Sequence, residues 1–155
     1  MSPRASMAIL TALLLLSTGA SAMEPATRVA DFPTGTLILE SSGDRCLRIN
    51  VRFADTPEHQ SQGLMFIEQM DEFEGMLFRY SPPSTINMWM RNTIIPLDMV
   101  FIREDQRVAR IAFNTQPYSE ARISSGVPVA GVLELNAGFS SRWRVRAGNR
   151  LLLVD

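Results

Sequence analysis

The chain has 155 residues, 46% of them apolar and 20% charged, with a formal net charge of −1. That length suits one ordinary domain that buries its own core without metal or disulfide staples. All 15 basic residues are arginines, dispersed among 16 acids, which excludes the basic stripe of a nucleic-acid binder and the basic helix of a membrane-surface protein.

Arg4 and the α-amino group precede a short apolar run, Ala8 to Leu16, and Ala20-Ser21-Ala22 offers small residues to a signal peptidase. This pattern predicts a cleavable secretory signal over residues 1–22, a mature start at Met23 and a periplasmic or secreted protein. The apolar run is too short to span a bilayer comfortably, and no cysteine follows the cleavage site. No stable membrane insertion is therefore expected after cleavage. Residues 23–35, with Pro25 and Pro33, read as a mobile lead-in, and 36–155 as a single β-rich domain.

Thr36 to Leu39 predicts a first strand. Arg45 to Phe53 predicts a second, because Leu47, Ile49, Val51 and Phe53 alternate with Arg48, Asn50 and Arg52. Asp55-Thr56-Pro57-Glu58 then starts a helix that Gly63 must end within two turns. Leu64, Met65 and Phe66 are expected to enter the core. Further strands are predicted over Gly75 to Tyr80 and Ile86 to Met90, with a turn at Ser81 to Ser84 between them. Leu97 to Ile102 and Arg107 to Phe113 predict a hairpin about Glu104-Asp105-Gln106. The first of these is apolar on both faces except at Asp98, the mark of a central strand. Asn114 to Pro128 reads as a long loop, Val129 to Leu135 as a strand interrupted by Glu134, Ala137 to Trp143 as one helical turn, and Leu151 to Val154 as the last strand.

Seven to eight short strands with one or two short helices predict a mainly β fold, a jelly-roll-like sandwich or a closed barrel. Its expected core includes Leu47, Ile49, Val51, Phe53, Leu77, Phe78, Trp89, Met99, Phe101, Ile111 and Leu133. Cys46 is the only cysteine, has no activating neighbour in sequence, and reads as a buried or inert thiol.

Several segments together resemble one family. They are Asp55-Thr56-Pro57 to Gly63-Leu64-Met65, Gly75-Met76-Leu77-Phe78, and Trp89-Met90-Arg91-Asn92-Thr93 with Ile95-Pro96-Leu97-Asp98. Val132-Leu133-Glu134-Leu135 with Ala137-Gly138, and finally Gly148, complete the set. They resemble the uncharacterised domain of unknown function 192 family, over nearly all of the chain after the signal. The resemblance implies a β-rich, often exported prokaryotic protein, with a jelly-roll-like sandwich or barrel, and brings no activity. This chain departs from the pattern at Ile67, where a basic residue is frequent, and at Gln60-Ser61-Gln62, where an arginine is frequent.

Asp98 and Glu134 each put a carboxylate into an apolar strand, where it needs an arginine, backbone donors or a ligand. They read either as structural pins, with Arg91 a partner for Glu134, or as a general acid and base sharing one pocket. The polar step Asn92-Thr93 between apolar segments reads as a pocket wall. Met88 and Met90 share one strand face and offer soft thioethers that suit Cu(I), yet Trp89 points the other way and methionine is an ordinary core filler. His59, among polar residues, reads as a solvated surface histidine.

The function read from these residues is an exported small-ligand-binding or accessory protein of the bacterial cell envelope. Its site is expected at Trp89, Arg91, Asn92, Thr93, Asp98 and Glu134, its partner is a small-molecule or envelope ligand, and no cofactor is expected. The alternatives are an envelope hydrolase with Asp98 and Glu134 as its catalytic pair, and a periplasmic Cu(I) carrier using Met88, Met90 and Trp89. Binding is preferred to catalysis because no nucleophile and base lie together in sequence and no Gly-rich phosphate loop occurs.

Overall fold

The computed structural model describes residues 29–154. The expected signal, residues 1–22, and the first part of the expected lead-in lie outside the described residues. From Val29 the chain is already packed. A 3-10 turn spans Val29–Asp31, and Phe32 is buried and stacks on the His59 ring at 4.0 Å.

The alternation of Arg45 to Phe53 forms strand β2 (Arg45–Ala54), with Leu47, Ile49 and Val51 inward and Arg48 and Asn50 outward. It pairs antiparallel with β1 (Thr34–Ser41), Leu39 opposite Leu47 and Leu37 opposite Ile49. The same alternation puts Cys46 outside. The thiol is exposed, so the expectation of burial is corrected by the period of its own strand.

β2 pairs parallel with β3 (Glu74–Ser84), and a parallel pair requires a crossover. Here it is helix α1 (Pro57–Gln62) and the segment after it. Thr56 caps α1, its hydroxyl accepting from the His59 N–H, and Gly63 ends it at φ 49°. Leu64 is buried as expected, whereas Phe66 is half exposed.

The remaining strands are β4 (Asn87–Met88), β5 (Leu97–Ile102), β6 (Val108–Thr115), β7 (Ile123–Ser124), β8 (Val129–Asn136) and β9 (Leu151–Val154). Helix α2 (Phe139–Arg142) is a single turn. Seven strands form one mixed sheet in the order β6-β5-β8-β3-β2-β1-β9, and β4 with β7 forms a small second one. The long loop 114–128 thus contains a two-residue strand, β7. The mainly β, sandwich-like fold is as expected. The sheet is not a closed barrel: its edges meet at one corner only, through the bridge Arg107–Arg150.

The curled sheet separates two cores. The inner one holds Leu37, Leu39, Ile49, Val100, Leu133, Leu135 and Leu151. The outer one holds Phe32, Leu64, Met76, Phe78, Met88, Met90, Met99, Phe101 and Val132, under the crossover and the β4–β7 layer. β5 is buried at every position because it has a core on each face. Of the expected core, Phe53 and Ile111 are only partly buried, and Trp89 is 46% exposed. Trp89 alternates with Met88 and Met90, and those two take the inward positions.

Candidate functional site

Asp98 and Glu134 lie on adjacent antiparallel strands, one register step apart: Asp98 opposite Leu135 and Met99 opposite Glu134. Side chains one residue apart on a strand point to opposite faces. Asp98 therefore shares the face of Val100 and Leu135 in the inner core, and Glu134 that of Met99 and Val132 in the outer one. The two carboxylates do not share a pocket, so they cannot flank one reacting bond.

Asp98 is satisfied by the protein itself. Its Oδ1 accepts from the backbone N–H of Asn114 at 2.9 Å and of Gly138 at 3.2 Å, and its Oδ2 accepts from the N–H of Ser140 at 2.9 Å. It ties the end of β6 and the start of α2 to β5, and is a structural pin rather than a site group.

Glu134 is the opposite case. It is 4% exposed, and among the described residues no hydrogen bond or ion pair reaches its carboxyl group. Burial pushes that carboxyl up to about 8, because a low-polarity surrounding penalises the charged form. It stands on the wall of a cavity of about 110 Å³, bounded by the end of α1, the Gly63-Leu64-Met65 segment, β3 and the 87–93 segment. Phe78, Tyr80, Met88 and Trp89 form its aromatic and sulfur-bearing side. Gln60, Gln62, Asn87, Arg91 and Thr93 add polar groups, and the Gln62 Nε2 is buried with no partner. Burial first, and then the charge of Glu134, push the Tyr80 phenol up to about 12.

Of the six residues expected at the site, Trp89, Arg91, Thr93 and Glu134 line this one cavity, whereas Asn92 and Asp98 do not. Arg91 is not the partner of Glu134. Its guanidinium lies over the Trp89 ring, 5.6 Å from the centroid, and its Nε is 4.0 Å from Glu120. Asn92 has φ 54°, a left-handed conformation that asparagine tolerates better than most residues. It holds a turn in which the Phe66 N–H donates to the Asn92 carbonyl. Gln62 and Tyr80 line the cavity beyond the expected residues. Tyr80 is legible in the sequence, since Met76, Phe78 and Tyr80 continue one strand face with period 2.

The two thioethers weighed for Cu(I) are occupied within the fold. The Tyr80 hydroxyl is 3.7 Å from the Met88 Sδ, and the Thr115 hydroxyl is 3.1 Å from the Met90 Sδ. Met90 is fully buried and has no face on the cavity. Among the described residues no group of three or more His, Cys, Asp or Glu converges as a metal cluster would. His59, expected to be solvated, is half-buried on Phe32, and its Nδ1 is buried without a partner.

The family model of DUF192, described as "Uncharacterized ACR", matches residues 37–153, and the chain belongs to that family. No curated protein matches. Among solved structures, a Sinorhizobium meliloti 1021 protein described as a "putative transcription regulator" is 41% identical. It has a TM-score of 0.77, with 79% of this chain and 95% of that one covered. A protein of unknown function from Novosphingobium aromaticivorans DSM 12444 is 34% identical with a TM-score of 0.76, covering 86% of this chain and 96% of its own.

Proposed function

We propose that this member of the DUF192 family is an exported small-ligand-binding protein of the bacterial envelope, whose ligand occupies the Glu134 cavity. One observation carries the reading: Glu134 is buried on the wall of an open cavity with no protein partner among the described residues. A buried acid left unpaired costs stability, and such a cost is tolerated where a bound molecule completes the group. The signal pattern over residues 1–22 supports export.

Two measurements test this. Intact mass of the exported protein should correspond to a chain beginning at Met23, and a full-length mass in the membrane fraction would remove the export half. Glu134→Gln should leave thermal stability unchanged or raised. A loss above about 1 kcal/mol would make Glu134 a structural group and remove the site half.

The paired-acid hydrolase is set aside because Asp98 and Glu134 face different cores. The Cu(I) carrier is set aside because Met90 has no access to the cavity. The description of the S. meliloti relative raises transcription regulation. Against it, this chain has 15 basic residues dispersed among 16 acids, and Arg52, Arg79, Arg91, Arg103 and Arg142 each pair with a carboxylate. With a formal net charge of −1, the chain carries no overall excess of positive charge to draw it to phosphates.

A further inference from the structure

We propose that the cavity takes a small organic cation, the ammonium end of an amine, with Glu134 as its counter-charge; the proposal rests on the Glu134 cavity being the binding site. The walls are the first argument. Phe78, Tyr80 and Trp89 supply three rings and Met88 a thioether. These offer π faces and polarisable sulfur to a cation. The volume, about 110 Å³, is several times the roughly 30 Å³ share of one water. It suits a head group rather than a large ligand.

The second argument is charge. Among the described residues no cationic side chain forms an ion pair with Glu134, although Arg91 lines the same cavity. β3 contributes Tyr80 and the apolar Met76 and Phe78, and β5 contributes Met99. From α1 and its end come the uncharged Gln60, Ser61 and Gln62. The 87–93 segment brings Arg91, whose guanidinium lies over the Trp89 ring and whose Nε is 4.0 Å from Glu120. His59 of α1 is stacked on Phe32 and does not line the cavity. A buried carboxylate surrounded in this way needs its positive charge from the ligand.

The third argument is the proton. Burial pushes the Glu134 carboxyl up to about 8, so without a counter-charge it is protonated at neutral pH. An arriving ammonium ion replaces that proton. The carboxyl O–H gives H⁺ to the buffer, the carboxylate pairs with the ammonium, and the net charge of the site is unchanged. Binding is then coupled to release of about one proton below pH 8, and affinity rises about tenfold per pH unit up to that point.

The test titrates the full chain, as exported, with n-butylammonium chloride, n-butanol and sodium butyrate, three probes of similar size that differ in charge. Calorimetry in two buffers of different ionisation heat reads proton release. The indole N–H resonance of Trp89, assigned with Trp89→Phe, reports occupancy of this cavity. Expected are one saturable site for butylammonium, about one proton released at pH 6.5, and at least a tenfold loss of affinity in Glu134→Gln. Proton release is read on the wild type, so the test holds even where that variant does not fold. Butanol or butyrate binding as tightly as butylammonium would overturn the cation assignment and leave the pocket standing. No response of the Trp89 resonance to any of the three would overturn both.

Discussion

Asp98 and Glu134 make a natural pair for comparison. Both are buried acids on adjacent central strands, separated by one step of register. Asp98 faces the inner core and accepts three backbone N–H bonds. Glu134 faces the outer core, has no protein partner among the described residues and borders a cavity. Hydrogen bonds to the charged form make a buried carboxylate affordable; without them the same group is a stability cost. The contrast shows that an acid interrupting an apolar strand carries no fixed meaning. The face it is given decides whether the fold itself satisfies it.

The largest effect expected from this contrast is at Asp98. Asp98→Ala leaves the N–H groups of Asn114, Gly138 and Ser140 without an acceptor. Bonds to charged groups contribute about 1.5–3 kcal/mol each and do not add fully, so the loss should reach about 3–5 kcal/mol in urea unfolding. A loss below about 1 kcal/mol would end the distinction between the two acids.

Glu134 should give a pH dependence that Asp98→Ala does not remove. Its carboxyl is raised from 4.5 to about 8 in the folded protein, so the folded form keeps a proton that the unfolded chain gives up. That contribution to stability is fully present below about pH 4.5 and is lost as pH rises through about 8. At about 1.4 kcal/mol per pH unit, about 3 kcal/mol should disappear between pH 4.5 and 7. Glu134→Gln should flatten this slope. A wild-type slope that persists unchanged in the variant would assign it to other groups.

A smaller effect is expected at the seam that holds Glu134 in place. Gly75 on β3 faces β8 so closely that a Cβ would lie 2.7 Å from the Glu134 carbonyl oxygen and 3.0 Å from the Leu135 side chain. Gly75→Ala must push the two strands apart, at about 1–3 kcal/mol. It should also shift the Glu134 titration, since the cavity wall moves with β8. An unaltered melting temperature would show the seam to be looser than its geometry.

Much of this architecture is legible in the sequence where one period governs. β2, the β5–β6 hairpin and α1 with its Thr56 and Gly63 caps follow from local pattern, as do α2 and β9. The cavity is only half legible. Trp89, Arg91, Thr93 and Glu134 line it together, but the partners of Asp98 are backbone groups 16, 40 and 42 residues away. Backbone donors leave no side-chain signature, so no spacing could identify them. The opposite facing of the two acids depends on β5–β8 register, which is a long-range property. Cys46 and Trp89 are exposed because the alternation of their neighbours points them outward, although both residue types are commonly buried.

The smallest stability effect is expected at Trp89, where fold and site separate most cleanly. A tryptophan in a core costs about 3–5 kcal/mol when cut to alanine. Trp89 is 46% exposed, alternates with the buried Met88 and Met90, and stacks with Arg91. An exposed cation–π contact is worth about 0.5–1 kcal/mol, so Trp89→Ala should lower stability by about 1 kcal/mol or less. The ring also lines the Glu134 cavity, so the same change should weaken butylammonium binding well beyond its effect on folding. Ligand titration and urea unfolding on one preparation measure both. A large stability loss would return Trp89 to the core and make the 89–98 segment a folding element. An unaltered affinity would remove the aromatic wall from the site while leaving Glu134 in it.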